Sequence, residues 1–267
     1  MNAPVVGLHA DSIHARVSAA EWQMRIDLAA CYRLAAHYGW TDLIFTHISA
    51  RVPGADEHYL LNPFGYMFDE VTASNLVKID LDGSPVHPTD YKIHRAGFVI
   101  HSAVHAARAD AGCVIHSHTR AGMAVSMMQC ALLPLSQHAN LFHGRVAYHD
   151  SEGFALDTDE RARIVADLGD KSVMLMRNHG TMVIGNTVAQ AFSMMWHLEK
   201  ALQAQVDALA SGKALPVVSQ AVAADTAARG YSDATIPQYA DGQSPLGRLE
   251  WPALLRMLDR IDPSYRQ

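Results

Sequence analysis

Cysteine is scarce in this sequence of 267 residues. Its three cysteines, Cys31, Cys113 and Cys130, are odd in number and lie in apolar stretches. Secreted domains that depend on disulfides carry an even set of cysteines at regular spacings instead. We therefore expect reduced thiols, no disulfide framework and a cytoplasmic location.

Long apolar runs and basic runs are also missing. The longest candidate membrane segment, residues 121–135, is too short to span a bilayer and contains Gln129 and Pro134. The N-terminus has neither the basic start nor the long apolar stretch of a secretory signal. The formal net charge is −6, and no basic run suits a phosphate backbone. We expect a small-molecule substrate as the partner, with no membrane and no nucleic acid.

Histidine, in contrast, is abundant, with 16 residues. Two histidines alternate in the run Cys113-Val-Ile-His-Ser-His-Thr119. Because a strand points residues i and i+2 to the same face, His116 and His118 can bind one ion together. A third imidazole from a distant turn, His179 in Asn178-His-Gly180, would complete a site with open coordination positions. Open positions are typical of catalytic rather than structural metals.

Apolar periodicity, caps and turn signals predict alternating helices and strands. Ser18 caps the first helix and Thr158 the fourth, while residues 213–243 lack periodicity and indicate a long connection. We predict an N-terminal arm over residues 1–17, one domain over 18–212, and a C-terminal arm with a short helix over 213–267. The predicted helices cover 18–38, 96–109, 121–130, 159–168, 187–210 and 251–258, and the strands 45–52, 58–61, 77–81, 113–118, 145–149, 172–176 and 182–185.

Three motifs, in this order, resemble the class II aldolase/adducin family. They are the run from Asn62-Pro-Phe-Gly65 to Asp82-Gly83, the pair His116-Ser-His118, and Arg177-Asn-His-Gly180. The likeness covers roughly residues 20–210, and in detail it is closer to the adducin head domain and its bacterial relatives than to the sugar-phosphate aldolases.

The resemblance implies an α/β fold, with a three-layer α/β/α domain around a largely antiparallel central sheet. It also implies a homotetramer whose metal sites lie near subunit interfaces. His116, His118 and His179 are implied to bind a divalent ion, commonly zinc, with manganese or iron also possible.

The chain departs from the aldolase pattern at the acid/base position and at the phosphate loops. The glutamate that moves a proton in the family's sugar-phosphate enzymes falls on Gly97, which has no side chain. Their phosphate loops fall on residues 46–49 and on Phe64-Gly65, so neutral hydrogen-bond donors are lost. We predict that His47, Phe64, Gly65 and Arg95 bind substrate, with Arg95 or His47 as a positive charge. A carboxylate or aromatic substrate suits them better than a simple sugar phosphate.

Other histidines are candidates for the proton carrier or for supporting roles. His138 falls close to a tyrosine that reaches the active site in the sugar-phosphate aldolases, so it is a candidate catalytic residue, although a surface-loop role fits its context as well. His101 and His105 are spaced i, i+4 on a predicted helix. No third ligand motif accompanies them, so we interpret His101 as a residue that orients another ligand.

Three functions are compatible with these residues. The first is a metal-dependent lyase that cleaves a carbon–carbon bond, by retro-aldol reaction or decarboxylation, through a metal-stabilised enolate. The second is a non-haem metal oxygenase, because three neutral imidazoles can also hold ferrous iron. The third is a non-catalytic binding protein of the adducin type, which Gly97 favours.

Overall fold

The fold of the chain is built on one seven-stranded sheet. A computed structural model describes residues 13–54, 57–153, 159–230 and 246–267. The sheet has the order β3-β2-β1-β4-β7-β6-β5, and its neighbours are antiparallel except for the parallel pair β5 and β6. The strands are β1 His47–Arg51, β2 His58–Leu61, β3 Val77–Asp80, β4 Cys113–Ser117, β5 Val146–His149, β6 Val173–Met176 and β7 Gly180–Gly185. The predicted largely antiparallel sheet is therefore confirmed.

Helices cover both faces of this sheet, which confirms the predicted three layers. The pair α2 and α5 covers one face, and α1 and α6 lie in the larger cluster on the other. The helices are α1 Ala19–His37, α2 Arg95–Ala107, α3 Arg120–Ser126, α4 Gln137–Asn140, α5 Glu160–Leu168, α6 Val188–Ala210, α7 Gln220–Gly230 and α8 Glu250–Ile261, with short 3₁₀ turns at Phe68–Glu70 and Pro263–Arg266.

Successive side chains of β4 point to opposite faces of the sheet, toward the two helical layers in turn. Cys113 and Ile115 join the cluster with α1 and α6, whereas Val114 joins the cluster with α2 and α5. His116, two residues after Val114, therefore faces the layer of α2. The register places His47 of β1 directly opposite His116, so that both imidazoles lie on this face.

The main helices begin and end where local sequence signals predict. The Ser18 side chain accepts a hydrogen bond from the Glu21 backbone nitrogen at 3.1 Å and caps α1. Gly39 follows the helix with φ +72°, a conformation that favours glycine. Thr187 caps α6 in the same way, through the Gln190 backbone nitrogen. The predicted cap of α5, Thr158, lies outside the described residues.

Two predicted segments need correction. The strand predicted from residue 45 begins only at His47, because Thr46 has φ +66°, which is incompatible with a strand. The predicted connection over residues 213–243 contains α7 instead. Ala223 and Ala227 are buried one turn apart on that helix, which packs on α4. Small residues carry little hydrophobic signal, so the i, i+4 spacing was overlooked in the sequence.

The C-terminal helix α8 packs on α1. The Trp251 indole nitrogen donates to Oδ1 of Asp27 at 3.0 Å, and Arg33 pairs with Asp262 at 3.1 Å. The predicted short helix at residues 251–258 is confirmed and extends to Ile261. The boundaries of the two predicted arms stay a prediction. Within the described part of the chain, no helix combines the length and the hydropathy that crossing a membrane requires.

Candidate metal centre

Three histidines from distant parts of the chain form one triangle. His116 and His118 come from the end of β4, and His179 comes from the turn between β6 and β7. Each pair of ring centroids is 4.8 Å apart. One nitrogen from each ring lies within 4.8 Å of the others. Among the described residues, these three side chains form the cluster that could bind a metal ion. The structure thus brings together all three predicted ligands.

The turn that carries His179 needs two unusual residues. Asn178 has φ +58°, a left-handed conformation that asparagine tolerates better than most residues. At Gly180 the backbone of β7 approaches β4 so closely that a Cβ atom would lie 2.4 Å from the Ser117 carbonyl oxygen. Any side chain at position 180 would separate the strands. The sequence Asn178-His-Gly180 is therefore explained by the sharp turn and close strand contact that hold His179 beside β4.

Hydrogen bonds to the outer nitrogens fix how two of these imidazoles face inward. Nδ1 of His116 is 3.0 Å from the Thr181 carbonyl oxygen and must donate to it. Nδ1 of His118 is 2.9 Å from Oδ2 of Asp42 and donates to that carboxylate. When both rings are neutral, the two Nε2 atoms are lone pairs, and they lie 3.0 Å apart. Lone pairs at this distance repel unless a cation lies between them, so the donor set fits a metal ion.

Burial keeps the ligands in the form that metals require. Desolvation, followed by the influence of His179, His47 and His118, lowers the pKa of His116 well below its ordinary value. Desolvation, and then His118 and His149, lowers the pKa of His179 to about 4. Both imidazoles are neutral at neutral pH, which is the metal-binding form. The three rings could hold a divalent cation.

A cavity of about 460 Å³ opens beside the triangle. Its described lining contains no Lys or Arg. Two buried polar atoms there, Oγ1 of Thr46 and Nδ1 of His94, have no hydrogen-bond partner within the described part of the chain. Buried polar atoms are usually paired, so both are available to a bound molecule. The lining residues are Asp42, Phe45, Thr46, His47, His94, Ile100, His116, His118, Ser151, Gly153, Asn178 and His179.

Backbone strain is concentrated around this cavity. Among the described residues other than glycine, Leu43, Thr46 and Asn178 have positive φ values, of 50°, 66° and 58°. Leu43 follows Asp42, Thr46 precedes His47, and Asn178 precedes His179. Such conformations cost on the order of 1–3 kcal/mol each and are common at functional sites. Each strained residue is therefore next to a polar side chain that lines the cavity, namely Asp42, His47 or His179.

Of the four predicted substrate residues, His47 lines the cavity directly. Phe64 contacts the ring of His94 with centroids 4.7 Å apart, so it supports the cavity through that residue. Gly65 and Arg95 are not among the described lining residues.

The expectation that His47 supplies a positive charge is wrong. His47 is buried among other imidazoles, 4% exposed. Desolvation, and then His101 and further histidines, lowers the pKa of His47 well below its ordinary value. The ring is therefore neutral at neutral pH.

His138, the predicted catalytic residue, lies in α4. Its Nδ1 is 2.9 Å from Nδ1 of His197 in α6, and it is not among the described residues that line the cavity. A catalytic role for His138 stays a prediction.

Sequence patterns overlooked Asp42, Thr46 and His94. Asp42 reaches His118 from a distance of 76 residues along the chain. No local spacing indicates that contact. Thr46 and His94 could have been found from their neighbours, because they directly precede the predicted substrate residues His47 and Arg95. Residues next to the start of a strand or helix often line the same site.

The chain belongs to the class II aldolase/adducin family, as was predicted from its motifs. The model of the "Class II Aldolase and Adducin N-terminal domain" matches residues 26–206. The crystal structure of an aldolase II superfamily protein from Pseudomonas syringae is similar with a TM-score of 0.87 and 50% sequence identity, over 96% of this chain and 99% of that one.

Two kinds of relatives are similar to this chain in sequence. A Caulobacter vibrioides protein named "Putative aldolase class 2 protein" is 49% identical over 254 residues, which are 95% of this chain and 96% of that protein. Alpha-adducin of Rattus norvegicus is 43% identical over 244 residues, 89% of this chain but 33% of the adducin. The family is therefore established, and its members are named for aldolases as well as adducins.

Proposed function

We propose that the protein is a metal-dependent lyase that cleaves a carbon–carbon bond. The observation that carries this proposal is the pair of Nε2 atoms of His116 and His118, which face each other at 3.0 Å while their Nδ1 atoms donate elsewhere. His179 supplies the third nitrogen. Zinc is the metal that we expect, with manganese as a close alternative.

The chemistry follows from three histidine ligands beside an open cavity. A divalent cation, when bound, polarises a substrate oxygen and stabilises the negative charge that develops as the bond breaks. Asp42 orients His118 and makes it a better ligand by accepting its Nδ1 proton. Phe45 and Ile100 supply apolar walls to the cavity. Retro-aldol cleavage and decarboxylation both need this arrangement.

A simple sugar phosphate does not suit this cavity. Phosphate recognition usually depends on Arg, Lys or several backbone donors. Neither Lys nor Arg is found in the described lining, and His47 is neutral. We propose a carboxylated or aromatic substrate, whose ring or chain would contact Phe45 and Ile100.

Metal analysis tests this proposal. The protein is purified without air, and bound metals are measured for His116→Ala, His118→Ala and His179→Ala beside the exposed control His37→Ala. We expect about one zinc or manganese ion per chain in the parent and the control, and a loss of metal in the other three. Cleavage is then followed as aldehyde or carbon dioxide release from β-hydroxy ketones and carboxylated phenols. Abundant iron would instead favour the oxygenase hypothesis.

The similarity to alpha-adducin favours a second candidate, a non-catalytic binding protein. This candidate predicts that folded His116→Ala protein keeps its full cellular function, whereas the lyase proposal predicts that it loses this function. Assembly as a homotetramer and a cytoplasmic location are further parts of our proposal, and sedimentation of the metal-loaded protein tests the first.

A further inference from the structure

A chain of buried polar side chains leads from the cavity into the protein. Nδ1 of His47 is 2.8 Å from Nε2 of His101, whose Nδ1 is 2.5 Å from Oγ of Ser49. The same oxygen is 2.7 Å from Nε2 of His105, and Nδ1 of His105 is 2.9 Å from the Ala111 carbonyl oxygen. His47 and Ser49 alternate onto one face of β1, and His101 and His105 are one turn apart on α2. We call these four residues the histidine relay.

The carbonyl at the inner end fixes the direction of every hydrogen bond in the relay. A carbonyl oxygen only accepts, so Nδ1 of His105 carries a proton and its Nε2 is a lone pair. The Ser49 hydroxyl must donate to that lone pair, so its oxygen accepts from His101. Nε2 of His101 then accepts in turn.

The direction continues to the cavity. Because Nε2 of His101 accepts, Nδ1 of His47 donates, and Nε2 of neutral His47 is a lone pair. This argument requires neutral rings, and burial provides them. His101 is fully buried and His105 is 2% exposed. Desolvation, and then Arg51, lowers the pKa of His105 to about 3, and desolvation also lowers the pKa of His101.

Nε2 of His47 lies at the cavity. The His47 ring stacks on His116 with centroids 5.1 Å apart and an interplanar angle of 27°. Among the described residues, its Nε2 atom has no hydrogen-bond partner, and the residue is 4% exposed. It is not one of the fully buried side-chain atoms without a partner, so it is accessible from the cavity and can accept a hydrogen bond from a molecule that binds there.

We infer that Nε2 of His47 is a fixed hydrogen-bond acceptor that selects a substrate with a hydroxyl group next to the metal centre. His101, Ser49 and His105 are positioning residues that hold His47 in the accepting tautomer. This inference extends the proposed function. It rests on that function in one respect, because it treats the molecule bound in the cavity as the substrate. It narrows the substrate class to hydroxylated compounds, since a bare carboxylate or phosphate oxygen cannot donate to this nitrogen.

The tautomers can be measured without metal or substrate. Long-range proton–nitrogen NMR of protein with ¹⁵N-labelled histidine distinguishes an Nδ1 proton from an Nε2 proton. We expect the Nδ1–H form at His47, His101 and His105 in metal-free protein. An Nε2–H signal from His47 would overturn the inference, and this result does not depend on whether the proposed lyase function is correct.

Ser49 provides the matched pair of variants. In Ser49→Ala, His101 loses the acceptor for its Nδ1 proton, so we expect it to carry an Nε2 proton that is donated to His47. His47 then becomes an Nε2–H donor. Ser49→Thr keeps the hydroxyl and should keep the parent tautomers. Circular dichroism checks that Ser49→Ala is folded. If the folded variant keeps the parent tautomers in the NMR experiment, the positioning role of Ser49 is wrong.

A pair of small probes tests the selection of a hydroxyl group. Lactate and 2-methoxypropionate both present an oxygen that can approach a cation, but only lactate can donate a hydrogen bond. With zinc-loaded parent protein and Ser49→Thr, we expect lactate to bind about tenfold more tightly, because the methyl ether leaves the acceptor unpaired. Ser49→Ala should lose this preference. Equal binding of the two probes by zinc-loaded parent protein would overturn the selectivity.

Discussion

Gly97 and His47 share one space. A Cβ atom at position 97 would lie 2.7 Å from Cδ2 and 2.9 Å from Cγ of the His47 ring. A side chain at position 97 and the observed His47 ring therefore exclude each other. The motif resemblance places the glutamate of the sugar-phosphate aldolases at Gly97, and the His47 ring fills the space that a side chain at this position would need.

A double-mutant cycle tests this shared space. Gly97→Ala should lower the free energy of unfolding by about 1–3 kcal/mol, because the buried His47 ring cannot move away without cost. In a His47→Ala background the same change should increase stability by up to about 1 kcal/mol, since alanine favours a helix more than glycine does. Urea unfolding of the four proteins measures both effects. Equal effects of Gly97→Ala in the two backgrounds would show that the two positions are independent.

The histidine triangle could be predicted from the sequence because two local patterns and the motif resemblance point to the same three residues. Alternation along β4 puts His116 and His118 on one side, and Asn178-His-Gly180 has the composition of a sharp turn. The histidine relay could not be predicted, because it depends on the register between β1 and β4. That register is set by tertiary packing, and it makes His47 the direct neighbour of His116.

The fold shows the same division between local and non-local causes. Capped helices such as α1 and α6 carry strong signals of their own. The start of β1 does not, because Thr46 adopts a left-handed conformation that only its surroundings enforce. Helix α7 was missed because its buried face consists of two alanines. Asp42 was missed because it reaches His118 across the fold.

Asp42 should affect metal affinity without being a ligand. In Asp42→Asn the Nδ1 proton of His118 loses its charged acceptor, so the ring is less firmly oriented and a weaker ligand. We expect zinc affinity to fall about 10- to 100-fold. Competition with a coloured chelator measures the affinity, and exposed Asp82→Asn is the control. If both variants hold zinc as tightly as the parent protein, the proposed contribution of Asp42 is wrong.

Acid should destabilise the metal-free protein through its buried neutral histidines. The pKa of His105 is about 3 when folded, against an ordinary value of 6.5. Between these values the unfolded chain binds the additional proton, so the stability present above pH 6.5 is lost as pH falls toward 3. One such histidine contributes a slope of about 1.4 kcal/mol per pH unit within this range.

Urea unfolding at pH 7 and pH 5.5 in a chelating buffer measures this slope. His105→Gln removes the titrating ring, so the dependence on pH should be weaker by about 0.6 proton on average over this interval, although the variant is less stable overall. Exposed His37→Gln should leave the slope unchanged. The assignment to His105 is wrong if both substitutions change the slope by the same amount.

Two variants of Asn178, in the turn before His179, distinguish the role of its backbone conformation from that of its side chain. Asn178 is exposed and has φ +58°. In Asn178→Ala the left-handed conformation becomes less favourable, so we expect a loss of about 1 kcal/mol in stability and weaker zinc binding. Asn178→Gly adopts this conformation without strain and should match the parent protein in both. Urea unfolding and chelator competition measure the two quantities. If Asn178→Gly loses zinc affinity as strongly as Asn178→Ala, the asparagine side chain, and not its backbone, places His179 in the triangle.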